Sequence, residues 1–330
     1  MPVDEVVNIA RLAELLGYAD LWIPDQSFHH DPFLLLACCA RATSTIRLGV
    51  AVTNPVTRHP VQIARAAATL QDIARGRFVL GLGAGNRTRV LPAMGLPTDR
   101  PAERIADAID VCRRLLRGEQ VSVDRPGMRL AGIRLEAAVP TDVPIYVGSR
   151  GARVLEIAGA MADGVLLEAM FTTAGLDYAL GEIERGARRA GRVGRRVETV
   201  AWQAIRLSGT LAARDEARYR SWAALLMWST RPDVLERIGI PPKTIDAVRA
   251  AFRVGDEWDA GRLLVEDVVP RLLLAGDADA VEYRLRTVER RGVDSASIIA
   301  FGMTEVVQDT LRRFASDVMS RFHHEGPVPP

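Results

Sequence analysis

Short apolar runs alternate with amphipathic stretches along most of the chain, and this alternation constrains the fold more than any other feature. Strand-length apolar runs fall at 19–24, 46–53, 78–83, 145–148, 164–168, 199–207 and 297–301. Helical spacing separates them. Val6, Ile9, Ala10, Ala13 and Leu16 precede the first run, with Gly17 as a C-cap, and Ile63, Ala66, Leu70 and Ile73 share one face before the third. Continuous apolar strands linked by crossover helices form parallel sheets covered on both faces. The number of units selects a barrel over a doubly wound sheet.

The predicted fold class is therefore α/β, a TIM-like (β/α)8 barrel. Seven strands are counted and the first element is a helix, so the first strand of a closed eight-stranded barrel has no counterpart. Either the chain is truncated at its start or the barrel is incomplete. Residues 1–322 read as a single barrel domain and 323–330 as a flexible tail. A surface hairpin is expected near 120–136 around Arg125-Pro126-Gly127, and a long helical insertion near 211–291.

Composition narrows the function classes. A hydrophobic fraction of 48% and a charged fraction of 25% describe a folded globular chain. Its 43 basic and 41 acidic residues are interspersed, which leaves no electrostatic footprint for nucleic acid or a membrane surface. No window reaches the roughly 18 apolar residues of a membrane span, so the cytoplasm is the expected compartment. Cys38, Cys39 and Cys112 lack metal or disulfide spacing and are expected as buried thiols.

In parallel barrels the working side chains stand at the C-terminal ends of the strands. Asp25 directly follows the first run, as a working carboxylate or a turn former. His29 and His30 share its loop and suit proton transfer better than metal binding, because adjacent ligands seldom face one ion. Gly81-Leu82-Gly83-Ala84-Gly85-Asn86 has a dinucleotide-like glycine spacing, yet Pro92, Gly95 and Pro97 interrupt the helix such a motif requires. Its glycines suit a loop whose backbone approaches a flat ligand. Gly148-Ser149-Arg150-Gly151 opens a helix at Ala152, offering N–H groups, a hydroxyl and a guanidinium to a phosphate, or else a plain turn. Glu168 ends its strand as an acid–base candidate or a salt-bridge residue.

The run Leu48-Gly49-Val50-Ala51-Val52-Thr53-Asn54-Pro55-Val56-Thr57-Arg58-His59-Pro60, followed by Gly76-Arg77-Phe78-Val79-Leu80-Gly81-Leu82-Gly83-Ala84-Gly85, resembles the F420-dependent branch of the luciferase-like superfamily. The likeness extends through Pro144-Ile145-Tyr146-Val147-Gly148 to Ala162-Asp163-Gly164-Val165, and within that branch the chain resembles the methylenetetrahydromethanopterin reductases. It implies coenzyme F420, with FMN as the alternative, its ring in the barrel mouth and its phosphate at residues 148–152. It also implies a non-prolyl cis peptide at Ala51-Val52, with Thr53 and Asn54 at the ring edge beside Gly83, Ala84, Gly85 and Asn86. The implied activity is hydride transfer at the deazaflavin C5, with Asp25, Glu168 and His29 or His30 handling protons. An FMN-dependent monooxygenase and a non-catalytic flavin-binding barrel are the alternatives. A small-molecule substrate is implied, as is a homodimer or higher homo-oligomer. Gln26 stands where several relatives carry His, and Asn86 where the reductases usually carry an acid.

Overall fold

A computed structural model of the chain describes residues 1–136, 142–192, 194, 196–264 and 268–322. Its strands are β1 (Asp20–Ile23), β2 (Arg47–Thr53), β3 (Phe78–Gly83), β4 (Val121–Arg125), β5 (Met128–Ile133), β6 (Ile145–Gly148), β7 (Gly164–Glu168), β8 (Glu198–Leu207), β9 (Leu274–Gly276) and β10 (Ser295–Ile299). The main sheet is parallel and runs β1-β2-β3-β6-β7-β8-β10, while β4 and β5 form the antiparallel hairpin expected near 120–136. Among the described residues no ladder joins β1 to β10, so the curled sheet is open at one seam, as expected; its strands number eight rather than the seven counted, because the short β9 pairs with the end of β8.

Three further expectations are corrected. The stretch near 211–291 is not purely helical. It holds the helices Glu216–Ser229, Pro232–Arg237, Pro242–Val254 and Glu257–Gly261, then β9, which pairs with the end of β8, and finally the crossover helix Ala278–Arg290. The last strand lies at 295–299 rather than 297–301, because Ser295 and Ala296 pair in register with Val200 and Ala201 despite their weak apolar character. Of the cysteines, Cys39 and Cys112 are buried, and burial pushes each thiol up to about 12, whereas Cys38 is exposed. The tail 323–330 lies outside the described residues. Among those residues, no helix is long and apolar enough to cross a membrane.

Helices begin where the sequence supplies N-caps. Asp31 accepts from the N–H groups of Phe33 and Leu34 ahead of Pro32–Ala42, and His59 Nδ1 accepts from Val61 N–H ahead of Pro60–Ile73. On the outer face, helix Val3–Leu15 meets helix Thr304–Asp317. Tyr18 stacks on Phe314 at 6.3 Å and donates its hydroxyl to the Leu311 carbonyl at 2.9 Å. The helical layer is thus continuous across the line where the strand layer is open.

The strands carry two cores. One fills the space between strands and helices; the other fills the lumen with Ala51, Val79, Tyr146, Leu166 and Val200, flanked by Trp22, Val52 and Trp202. Below them, at the N-terminal ends of the strands, Arg47 binds Asp20 at 2.6 Å and Glu198 at 2.9 Å, and Tyr146 donates its hydroxyl to Glu198. Burial would raise the Glu198 carboxyl, but the guanidinium and the phenol outweigh it and hold it below its usual range. Charge at this end closes the bottom of the lumen. The opposite end is left for chemistry.

Candidate active site

The mouth is built on a floor and a wall. At the end of β2 the Ala51-Val52 peptide is cis, as the resemblance implied, and the β2–β3 register shifts between Val50 and Thr53. Val52 is thereby turned across the ends of β3 and β6. A Cβ placed on Gly83 would lie 2.2 Å from Val52 Cγ2, and one on Gly148 would lie 2.9 Å from Val52 Cγ1. Any side chain at Gly83 would displace Val52. These glycines are spaces kept for the isopropyl group, which forms a partly exposed apolar platform at the top of the lumen.

Polar groups ring the platform. Thr53, fully buried, donates its hydroxyl to Asp25 Oδ2 at 2.6 Å, which fixes the Asp25 carboxylate at the mouth. Asn54 is only 3% exposed, and its Oδ1 accepts from the N–H groups of Val56 and Thr57, closing the turn that leads to Pro60. Gly85 adopts a left-handed φ of 73° with its Cα against the Asn54 amide. Asn86 Oδ1 accepts from Thr88 and Arg89 N–H and so holds its own loop.

The wall is the loop after β6. Ser149 Oγ accepts from Gly151 N–H at 3.1 Å, and Gly151 is the N-cap of helix Ala152–Met161 with no side-chain cap. Its φ of −90° is ordinary, and the nearest atom to a Cβ built there is Ser149 Oγ at 4.0 Å. Neither backbone nor crowding requires glycine at 151. The residue leaves open space in front of a helix start, where an anion is favoured by the unsatisfied N–H groups and the positive end of the helix dipole. The model of the family described as luciferase-like monooxygenases matches residues 1–295 of the chain.

The chain belongs to the luciferase-like monooxygenase family. It is 31% identical over 297 residues to a 5,10-methylenetetrahydromethanopterin reductase of Methanolobus tindarius, a match covering 88% of this chain and 89% of that protein. An F420-dependent glucose-6-phosphate dehydrogenase of Nakamurella multipartita is 29% identical over 281 residues, covering 80% of this chain and 79% of the other. Among solved structures, the coenzyme F420 dependent tetrahydromethanopterin reductase from Methanopyrus kandleri superposes with a TM-score of 0.86 at 26% identity, covering 98% of this chain and 96% of that one.

Within this luciferase-like mouth the remaining sequence-predicted residues fall in different places. Glu168, at the end of β7, binds Arg150 Nη1 at 2.6 Å, with side-chain exposures of 22% and 18%. The acid–base candidate and the phosphate-cradle guanidinium are thus partners. Arg150 also donates to Ser229 Oγ at 3.0 Å, and its carbonyl accepts from the Tyr178 hydroxyl. His29 and His30 are both exposed on the loop after β1. Ala84 directly follows β3, and Ala152 opens helix Ala152–Met161.

From sequence, Trp222, Met227, Trp228 and Trp258 in the 211–291 stretch suggest a pocket wall or a subunit interface, with core packing the commoner fate of such residues. Helix Glu216–Ser229 reaches from Arg206 at the end of β8, which binds Glu216 at 3.1 Å, to Arg150 through Ser229. Trp222 on this helix packs against Phe301, just beyond β10, with ring centroids 4.9 Å apart. Ala169, beyond β7, holds a left-handed φ of 60° and donates its N–H to the buried Gln203 at 3.0 Å. The available signal was the tryptophan-rich composition of 211–291. Its direction toward the mouth could not be read from spacing.

Proposed function

We propose that this chain is an F420-dependent oxidoreductase that transfers a hydride between the deazaflavin C5 and a small organic substrate held over the barrel mouth. One observation carries the reading: the glycine-cleared Val52 platform and the open helix start at Gly151 share one mouth, a layout suited to a flat ring with a phosphate-bearing arm. The chemistry of the residues present suits such a group: an apolar surface at Val52 for the ring, and the Ser149 hydroxyl with the open helix start at Gly151 for the phosphate. The relatives named above, reductases and dehydrogenases at 26–31% identity, support F420 over FMN.

Bound at this mouth, the deazaflavin supplies two-electron hydride chemistry. The protein supplies position and protons. Val52 backs the ring, and Ser149, Gly151 and the first turn of helix Ala152–Met161 hold the phosphate. Arg150 is oriented by Glu168 to neutralise the phosphate charge rather than to move a proton. Asp25, clamped by Thr53 through one oxygen, keeps the other for a proton at the substrate or the ring. His29 and His30 stand in the same loop as a rim donor pair. Trp222 and Phe301 form the apolar side of the substrate space and limit water there.

Fluorescence titration of the purified chain with F420 and with FMN tests the reading. Micromolar binding of F420 with negligible FMN binding is expected. Binding of FMN alone, or of neither, overturns it.

A further inference from the structure

The β7–β8 ladder ends where Glu168 stands opposite Trp202, although β8 itself runs on to Leu207. At the next residue of β8 a side chain takes the ladder's place. Gln203 is fully buried; its Oε1 accepts from Ala169 N–H at 3.0 Å, and its Nε2 donates to the Leu272 carbonyl just ahead of β9. This joint needs one acceptor and one donor on the same side chain, which a carboxamide supplies. Leucine would leave both backbone groups unpaired.

Ala169 holds a φ of 60°, a left-handed conformation that a Cβ disfavours. The turn takes the chain from the mouth into the core, where Met170 and Phe171 are buried. Without the bond to Gln203, Ala169 is free to relax toward a negative φ and to carry the end of β7 with it. That end is Glu168, whose carboxylate meets Arg150 at 2.6 Å in the wall proposed to hold the phosphate. Gln203 is closed off from solvent and cannot meet a ligand itself.

We infer that Gln203 is a positioning residue for the cofactor phosphate: it locks the left-handed turn at Ala169, holds Glu168 against Arg150 and so fixes the guanidinium between Ser149 and Gly151. Its effect is confined to the phosphate end. The Val52 platform stands on β2, with β3 and β6 between it and β7. The phosphate in this inference rests on the function proposed above; the clamp at Ala169 does not.

Fluorescence titration with F420 and with the 5-deazariboflavin that has its ring but no phosphate tests the role. Gln203→Leu is expected to raise the Kd of F420 at least tenfold and to leave that of the phosphate-free compound within twofold. Adding Ala169→Gly, which allows a left-handed φ without a clamp, is expected to restore F420 affinity to within threefold of the parent chain. If Gln203→Leu does not fold, Gln203→Asn, one methylene too short to reach both partners, has the same expected outcomes. An unchanged Kd for F420, equal loss for both ligands, or no recovery in the double variant overturns the inference. Hydrogen exchange of peptides covering 164–172, followed without any ligand, tests the clamp alone. The Ala169 amide should exchange slowly in the parent chain and about a hundredfold faster in Gln203→Leu; loop-like exchange in the parent overturns the inference. A parent chain that binds neither ligand counts against the proposed function, and the role at the phosphate falls with it, while the exchange rate still decides the clamp.

Discussion

Gly151 shows how one residue can separate folding from binding. Aspartate is a good helix N-cap, and position 151 has an ordinary φ and room for a side chain. Gly151→Asp is expected to keep or raise Tm, by no more than about 1 kcal/mol of stability. The same carboxylate faces the phosphate, and two like charges 4 Å apart at an effective dielectric of about 20 repel by up to ~4 kcal/mol. F420 affinity should therefore fall by as much as several hundredfold, read by fluorescence titration on the same preparation used for melting. Asp25 makes the complementary case. Asp25→Asn keeps an acceptor for the Thr53 hydroxyl but removes the proton-carrying carboxylate. Cofactor affinity should stay within a few-fold while kcat falls about 10²- to 10⁴-fold, measured in steady-state assays once an acceptor is found. Equal losses in binding and turnover would make Asp25 an anchor only.

At the scale of elements, the joint between the first helix and β2 depends on one carboxylate. Glu14, at the end of helix Val3–Leu15, accepts from the N–H groups of Ser44, Thr45 and Ile46 and from the Thr45 hydroxyl. Desolvation raises its pKa, but these four donors outweigh it and bring the carboxyl to about 2. A depressed folded pKa contributes stability that is complete above the usual 4.5 and is lost as pH falls toward 2. Glu14→Gln is expected to lower stability at pH 7 by about 1–2 kcal/mol, after allowance for solvent screening. It should also flatten the decline of Tm between pH 5 and 3, which differential scanning calorimetry would show. The elements themselves were mostly legible in the sequence, because strand runs such as 78–83 and helix faces such as Ile63, Ala66 and Leu70 have unambiguous periods. Leu274–Gly276 was not, since a three-residue apolar strand inside Leu272-Leu273-Leu274-Ala275 has the composition of a helix. The platform residues were legible through the motif around Ala51-Val52. The pairing of Arg150 with Glu168 was not, because its partners stand on separate strand ends and no local spacing relates them.

For the whole molecule, the two ends of the sheet have different tasks. Asp20, Arg47, Tyr146 and Glu198 come from four strands and meet only when the sheet has curled, so their cluster reports on the closure of the lumen floor. Arg47→Met leaves two carboxylates without their cation. Breaking a buried ion pair costs about 3–5 kcal/mol; Arg47 is 36% exposed, so a loss of about 2–3 kcal/mol is expected in chemical denaturation, with cofactor affinity unchanged in the protein that remains folded. A loss below 0.5 kcal/mol would mean that solvent already screens the cluster.

The seam between β1 and β10 gives the sheet two ends, and a sheet with ends has a direction in which it comes apart. Each terminal strand is paired on one side only, whereas β2, β3, β6, β7 and β8 are paired on both. Deuterium should therefore enter the backbone amides of β1 and β10 first and those of β3 and β6 last, a gradient running around the circumference rather than from mouth to floor. Read by mass spectrometry of peptides covering 18–25 and 293–301, the order of uptake would show whether the helices that meet outside the seam guard it or merely span it.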